Sequence, residues 1–209
     1  MLTLDLNSEK IVSTMTRGLM HSGLESAATQ FPDHPGVVAG DDVWTYAELQ
    51  RASNAAARHL TAQGVGPGDR LALMTSNRPE FVVVVHAASM LGAAPVLLNV
   101  AWKALEVETA LTLTAPRYGV ADGDGVGLLA ERLDQERVLD LDADVAPAVV
   151  DRSSNAESPP DAMTEDDDAV FVFSSGTTDR PKAVRHTHRS MVLSMAHWRL
   201  ALGLGHDDR

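Results

Sequence analysis

The residues best suited to chemistry lie in one polar segment, Ser174–Ala183, which reads SSGTTDRPKA. Its hydroxyl groups and free backbone N–H groups can donate hydrogen bonds to phosphate oxygens, and Lys182 adds a mobile positive charge. Gly176 has no side chain, so the backbone can approach a ligand closely. The candidate phosphate-binding residues are Ser174, Ser175, Gly176, Thr177, Thr178 and Lys182. An ordinary polar turn with an exposed lysine is the weaker alternative, which the physics alone leaves open.

This segment differs from a phosphate-binding loop of the Walker type. That loop requires Gly-Lys followed by Ser or Thr at a helix start, whereas Pro181 precedes Lys182 and Ala183 follows it. His186 and His188 would lie on the same side of a strand, but no third metal ligand stands nearby. We therefore expect no metal site in the chain.

An apolar strand is expected to position the polar segment. Ala169–Phe173 reads AVFVF, which is typical of a buried strand. Before it, Asp151–Asp168 is polar and without periodicity, which predicts an exposed connection. Ligands of parallel sheets gather at the carboxyl ends of strands, and the polar segment begins at such an end. A helix over Met191–Leu202 is expected after it.

Strands and helices alternate in the upstream sequence. Gly36–Thr45 predicts two short strands around a Gly-Asp-Asp turn, Thr45 and Glu48 match a capping box, and Gly64 suits the end of the helix that follows. Further strands are expected at Arg70–Thr75, Ala94–Asn99, Tyr118–Ala121 and Val138–Leu141, and helices at Phe81–Leu91 (starting at Asn77–Glu80), Ala104–Thr114 and Leu128–Leu133. This alternation predicts an α/β fold with a mostly parallel sheet flanked by helices.

Charge is distributed unevenly along the chain. The formal net charge is −12, and residues 122–168 hold 15 acidic residues and 3 arginines, so they account for all of it. Such acidity argues against a nucleic-acid-binding protein. A solvated face and linker is favoured over an acidic docking surface. We expect an α/β subdomain over 1–150, an acidic linker over 151–168, and a strand, phosphate loop and helix over 169–209.

The composition also bears on location. The chain has no cysteine, which excludes disulfides and thiolate metal sites. Its first residues lack the basic start and apolar run of a secretory signal. The most apolar window, Phe81–Val100, contains His86 and is interrupted by Gly92 and Pro95. A buried helix followed by a strand is therefore favoured over a membrane span, and we expect a cytoplasmic protein.

The polar segment resembles the phosphate-binding signature of the adenylate-forming superfamily, which includes acyl-CoA synthetases, luciferases and peptide-synthetase adenylation domains. The usual pattern, Ser-Gly-Thr-Thr-Gly-x-Pro-Lys-Gly, is matched at Ser175, Gly176, Thr177, Thr178, Pro181 and Lys182. Further landmarks occur in the family's usual order, namely WTYAEL at 44–49, GPGDRLA at 66–72, NRPEF at 77–81, LGAAPVLLN at 91–99 and VRHTHRS at 184–190. The resemblance implies the N-terminal portion of the family's large domain.

This resemblance implies an ATP-dependent acid–CoA ligase of the fatty acid type. Such enzymes join a carboxylic acid to AMP, release pyrophosphate and pass the acyl group to a thiol, commonly coenzyme A. Ser174–Lys182 would hold the β- and γ-phosphates of ATP, with Thr177 and Thr178 as hydroxyl donors and Lys182 as charge partner. The ligand of Mg²⁺ is expected in a later part of the family's sequence.

The resemblance also implies that the chain is incomplete as an enzyme. The family's adenine-, ribose- and magnesium-binding segments and its catalytic lysine are expected beyond Arg209, so no catalytic residue is expected within this chain. Whether the isolated chain is an enzyme is left open. The alternative is a non-catalytic pseudo-enzyme or assembly module that keeps the fold. A truncated sheet predicts exposed apolar edges and self-association.

Two residues depart from the family's pattern. Asp179 and Ala183 stand where glycine is usual. A carboxylate about 5 Å from a phosphate charge, at an effective dielectric of about 20, costs on the order of 3 kcal/mol, and Arg180 offsets part of that. We expect weaker ATP binding than in a relative with glycine at position 179.

Overall fold

The computed structural model describes residues 18–149, 157–159, 163–174 and 182–205. The helices are α1 Ser22–Gln30, α2 Tyr46–Ala62, α3 Pro79–Met90, α4 Ala104–Thr114, α5 Asp124–Ala130, α6 Ala146–Val149 and α7 His188–Leu202. The strands are β1 Pro35–Ala39, β2 Asp42–Thr45, β3 Arg70–Met74, β4 Ala94–Leu97, β5 Tyr118–Ala121, β6 Val138–Asp140, β7 Asp168–Ser174 and β8 Lys182–Thr187. A 3₁₀ turn at Gln135–Arg137 precedes β6, and a π-helical turn at Leu141–Val145 follows it.

Six strands form one sheet in the order β6-β5-β3-β4-β7-β8, while β1 and β2 form a separate antiparallel hairpin. Neighbouring strands of the large sheet are parallel except at its end, where β8 runs antiparallel to β7. The prediction of an α/β fold with a mostly parallel sheet is confirmed. The strand β8 was not predicted.

Helices cover both faces of the sheet, and the alternation of side chains along β3 shows how. Leu71 and Leu73 face a core that includes α2, α3 and α6. Ala72 and Met74 face a second core that includes α4 and α5. Successive side chains of a strand point to opposite faces, so the central strands β3, β4 and β5 are apolar on both sides.

The strongest local signals are confirmed at their predicted positions. Thr45 Oγ1 accepts a hydrogen bond from the Glu48 N–H at 3.2 Å, and Glu48 Oε2 accepts one from the Thr45 N–H at 2.8 Å, which completes the capping box at the start of α2. Gly64 follows the end of α2 with a φ of +90°, the left-handed region that glycine tolerates. The apolar window at 81–100 forms α3 and β4, as expected.

Other boundaries differ from the prediction. The helix expected at Leu128–Leu133 begins earlier, at Asp124, and ends at Ala130. A Cβ added at Gly125 in this helix would lie 3.1 Å from the Met74 carbonyl oxygen, so glycine permits the close approach to β3. Helix α3 is not capped by Asn77. Its N-cap is Arg78, which makes no side-chain capping bond, and Pro79 occupies the first turn. Leu141 lies in the π-helical turn, Asp168 begins β7, and α7 starts at His188.

Among the described helices, none combines the length and the apolar character needed to cross a lipid bilayer.

Candidate functional site

The hairpin formed by β7 and β8 brings two predicted site residues together. Ser174 is the last residue of β7 and pairs in register with Lys182, the first residue of β8. Both are exposed. Since β7 is parallel to β4, Ser174 lies at the edge of the sheet where the carboxyl ends of β3, β4 and β5 also lie. We call the pair of Ser174 and Lys182 the hairpin tip.

The connecting segment falls outside the described residues. It comprises seven residues, 175–181, which include the predicted site residues Ser175, Gly176, Thr177 and Thr178 together with Asp179. Their roles stay predictions. The described residues fix the two ends of the segment, because Phe173 pairs with Ala183 and Ser174 pairs with Lys182.

An aromatic pair lies directly beneath the hairpin tip. The rings of Trp102 and Phe173 meet edge-to-face, with centroids 5.1 Å apart and an interplanar angle of 76°. Trp102 reaches this position through a turn after β4, in which Asn99 Oδ1 accepts a hydrogen bond from the Ala101 N–H at 2.9 Å and the Asn99 carbonyl accepts one from the Trp102 N–H at 3.0 Å. Both rings are half-buried against the core on the α4 side.

A second polar cluster lies at the carboxyl ends of β3 and β5. The helix after β3 covers one face of the sheet and the helix after β5 covers the other, so these neighbouring strands form a topological switch point, the usual place for a ligand. Here the Asp122 carboxylate accepts hydrogen bonds from the Ser76 N–H at 3.0 Å and the Ser76 hydroxyl at 2.6 Å. We call this place the β3–β5 crevice.

Arg78 closes the crevice with three carboxylates. Its guanidinium lies 2.9 Å from Glu80, 2.6 Å from Asp142 and 3.9 Å from Asp122. The hydrogen bond to Glu80 is the main cause of a raised pKa at Arg78. Burial is the largest single influence and acts to raise the pKa of Glu80, but the hydrogen bond from Arg78, a backbone hydrogen bond and the charge of Arg78 together bring that pKa below its usual value. One guanidinium is therefore shared among three carboxylates, and the crevice has an excess of negative charge.

The two histidines near the hairpin have separate structural surroundings. His186 lies in β8, opposite Val170. His188 begins α7 and is 1% exposed, with its Nδ1 accepting a hydrogen bond from the Met20 N–H at 3.0 Å and its ring contacting that of His21. His21 in turn shares a 3.0 Å hydrogen bond with the Ser89 hydroxyl. These buried contacts tie the start of α7 to α3 and to the residues before α1.

Sequence reasoning did not find the β3–β5 crevice or the aromatic pair. The crevice had one available signal, since Ser76 and Asp122 each follow a predicted strand by one or two residues. The pairing of Trp102 with Phe173 had no local signal.

Comparison with known proteins decides the family. The family model described as "AMP-binding enzyme" matches residues 24–209. The chain belongs to this family. It is 33% identical over 193 residues to a 2-succinylbenzoate–CoA ligase of Bacillus licheniformis, an alignment that covers 89% of this chain and 38% of the relative. It is 31% identical over 169 residues to the long-chain-fatty-acid–CoA ligase FadD13 of Mycobacterium tuberculosis, covering 79% of this chain and 34% of that protein.

A solved structure supports the same assignment. A complex of VinN with L-aspartate superposes with a TM-score of 0.84 at 27% sequence identity, covering 92% of this chain and 50% of that one. The resemblance to the N-terminal portion of adenylate-forming acyl-CoA synthetases is thereby confirmed. The chain spans a little over a third of the length of the curated relatives it matches.

Proposed function

We propose that this chain supplies the ATP phosphate-binding part of an acid–CoA ligase. In the complete reaction a carboxylate attacks ATP to give an acyl adenylate and pyrophosphate, and the acyl group is then transferred to coenzyme A. The observation that carries the proposal is the register of the hairpin tip. Ser174 and Lys182 stand side by side at the carboxyl edge of the sheet and frame the Ser-Gly-Thr-Thr motif.

The chemistry of the hairpin tip supports a polyphosphate ligand. The tip presents a hydroxyl and an ammonium group in solvent, and neither Ser174 nor Lys182 is buried. Catalysis of phosphoryl-type transfer depends on positioning and charge stabilisation, and a lysine acts on phosphate as a mobile point charge. In this proposal Lys182 binds the β- and γ-phosphates, while the hydroxyls of Ser174, Thr177 and Thr178 orient them. The substrate carboxylate is the nucleophile.

The cofactors of the proposed reaction are ATP, Mg²⁺ and coenzyme A. An exposed hydroxyl beside an exposed lysine fits a phosphate group. For Mg²⁺ the described part of the chain offers no cluster of three or more His, Asp or Glu side chains, so we derive no step through the metal. Relatives named for 2-succinylbenzoate and for long-chain fatty acids make a small-molecule carboxylic acid the proposed substrate class. Fatty acid metabolism and the cytoplasm are the proposed setting.

The first experiment is ATP binding by isothermal titration calorimetry with Lys182→Ala. A charge-assisted hydrogen bond contributes about 1.5–3 kcal/mol, so we expect ATP affinity to fall roughly tenfold to a hundredfold. Arg137→Ala is the matched control, because it removes one exposed positive charge beside β6 and is expected to leave affinity within about twofold. An equal loss in both variants would mean that ATP responds to net charge rather than to Lys182.

A non-catalytic role is the second candidate, and Asp179 is the residue that favours it. A carboxylate where the family's usual pattern has glycine opposes phosphate binding. The two proposals separate in one assay, which adds the remaining portion of a family member and follows ATP-dependent pyrophosphate release with a panel of carboxylic acids. Release that is lost in Lys182→Ala supports the ligase. Absence of nucleotide binding with the added portion present supports an assembly module.

We further propose that the chain self-associates through α7. Three apolar side chains on this helix are strongly exposed, namely Met195 at 46%, Trp198 at 63% and Leu202 at 60%. Their spacing places them on one side of the helix, and β8 beside it is the last strand of the sheet. Light scattering should give a mass above that of the 22.3 kDa chain, and Trp198→Glu should return it to the monomer. A monomeric wild-type chain would contradict this proposal.

A further inference from the structure

The hairpin tip extends beyond the strand that supports it. The register between β4 and β7 has the pair Val96 and Phe171, and β4 ends at Leu97, one residue further on. Phe173 and Ser174 therefore continue past the end of their parallel neighbour. On its other side β7 is paired only with β8, whose first four residues are all exposed. Among the described residues, Phe173 and Ser174 therefore have register partners on β8 only.

Trp102 contacts Phe173 at the point where β7 continues past the end of β4. The turn at Asn99 ends the extended course of the chain after Leu98, whose N–H still donates to the Leu73 carbonyl at 2.9 Å. The turn carries the indole ring to the edge of Phe173, 5.1 Å between centroids. An edge-to-face pair has a preferred geometry, so the contact restrains the direction in which β7 leaves the sheet.

We propose that Trp102 is a positioning residue for the phosphate-binding tip. It acts through Phe173, which directly precedes Ser174 and stands opposite Ala183, the neighbour of Lys182. By holding Phe173, the indole fixes where the Ser174 hydroxyl and the Lys182 amine meet a polyphosphate. Trp102 itself is not assigned a contact with the ligand. This inference rests on the proposed function of the tip.

Calorimetric titration of the chain with ATP tests the inference. Aromatic pairs of this kind correspond to a roughly two- to tenfold change in an equilibrium constant. We expect Trp102→Ala to weaken ATP binding by that factor and Trp102→Phe, which retains a ring, to restore it to within about twofold of wild type. Val38→Ala is the control, because that apolar side chain is 63% exposed on the separate β1–β2 hairpin, and it should leave affinity unchanged.

A substitution of Phe173 tests the same contact in case Trp102→Ala impairs folding. Phe173→Leu keeps apolar volume, which cores tolerate, but removes the ring partner, so it should weaken ATP binding as Trp102→Ala does. Wild-type affinity in Phe173→Leu, or failure of Trp102→Phe to restore binding, would overturn the positioning role. Absence of ATP binding by the wild-type chain would instead overturn the proposed function, and this inference with it. Wild-type binding that Lys182→Ala weakens and Trp102→Ala does not would overturn the inference alone.

Discussion

Two places at the carboxyl edge of one sheet differ in how their polar groups are used. In the β3–β5 crevice, Asp122 is bonded to Ser76 and faces Arg78, and Arg78 also binds Glu80 and Asp142. At the hairpin tip, Ser174 and Lys182 are exposed. Topology favours the crevice as a ligand site, whereas the motif favours the tip.

The difference shows why topology alone does not locate a site. A ligand that entered the crevice would have to replace hydrogen bonds and ion pairs that the chain already makes, and each buried polar group left without a partner costs free energy. At the tip a phosphate would replace water. We therefore interpret the contacts in the crevice as stabilising the loop before α3, and the tip as the phosphate-binding element.

The largest expected effect is on ATP affinity and comes from a substitution between Ser174 and Lys182. Asp179→Gly should strengthen ATP binding, because removal of a carboxylate about 5 Å from a phosphate charge is favourable by on the order of 3 kcal/mol at an effective dielectric of about 20. Calorimetry at low salt should show a rise in affinity of up to about a hundredfold, which shrinks as salt is added. Asp41→Gly is the matched control, since it removes an exposed carboxylate from the turn between β1 and β2. Unchanged affinity in Asp179→Gly would refute this electrostatic argument.

The second-largest expected effect is a loss of folding stability at acidic pH, caused by His86 on α3. Burial, with a smaller contribution from His21, lowers the pKa of His86 on α3 to about 4, from 6.5. Its Nδ1 has no hydrogen-bond partner in the described part of the chain. Between these two pKa values the unfolded state binds the proton and the folded state does not, so stability falls as pH falls from about 6.5 to 4. The loss can reach about 3 kcal/mol.

Urea unfolding at pH 7 and pH 5 measures this pH dependence. His86→Gln cannot titrate and should remove most of the difference between the two pH values. His34→Gln, at an exposed histidine, should leave the difference as in wild type. If His86→Gln is as sensitive to acid as wild type, the sensitivity arises elsewhere.

A substitution in the crevice should separate stability from binding. Asp122→Ala removes two hydrogen bonds from Ser76 to a charged acceptor whose side chain is 14% exposed, and we expect the free energy of unfolding to fall by about 1–3 kcal/mol with ATP affinity unchanged. Asp134→Ala is the control, since its carboxylate is 74% exposed and pairs with Arg137 on the surface. It should cost less than about 1 kcal/mol. A loss of ATP binding in Asp122→Ala at intact stability would show that the crevice is part of the site.

The parts of this fold that could be predicted from the sequence depend on neighbours along the chain. The capping box of Thr45 and Glu48 and the helix at Ala104–Thr114 were predicted at the observed residues. Contacts between distant residues left no such signal. Ser76 and Asp122 are separated by 46 positions. Trp102, in the turn after β4, contacts Phe173 of β7.

The end of the sheet was predicted least well, for a physical reason. The first four residues of β8 are exposed and include Lys182 and Arg185, so the strand lacks the apolar pattern that identifies buried strands. An edge strand with charged side chains is a common protection against pairing with other chains. Its partner β7 has the apolar run AVFVF, which predicts a buried strand.

The smallest expected effects are losses of stability when the carboxylates that contact Arg78 are replaced one at a time. The Asp142 side chain is 61% exposed, whereas Glu80 and Asp122 are 17% and 14% exposed. Exposed ion pairs contribute at most about 1 kcal/mol, and Asp142→Asn leaves Arg78 its two more buried partners. We therefore expect Asp142→Asn to lower the free energy of unfolding by less than about 1 kcal/mol, and Glu80→Gln to lower it by more. Urea unfolding of both variants at pH 7 measures the order, and a reversed order would mean that the outer carboxylate, rather than the buried pair, holds the crevice closed.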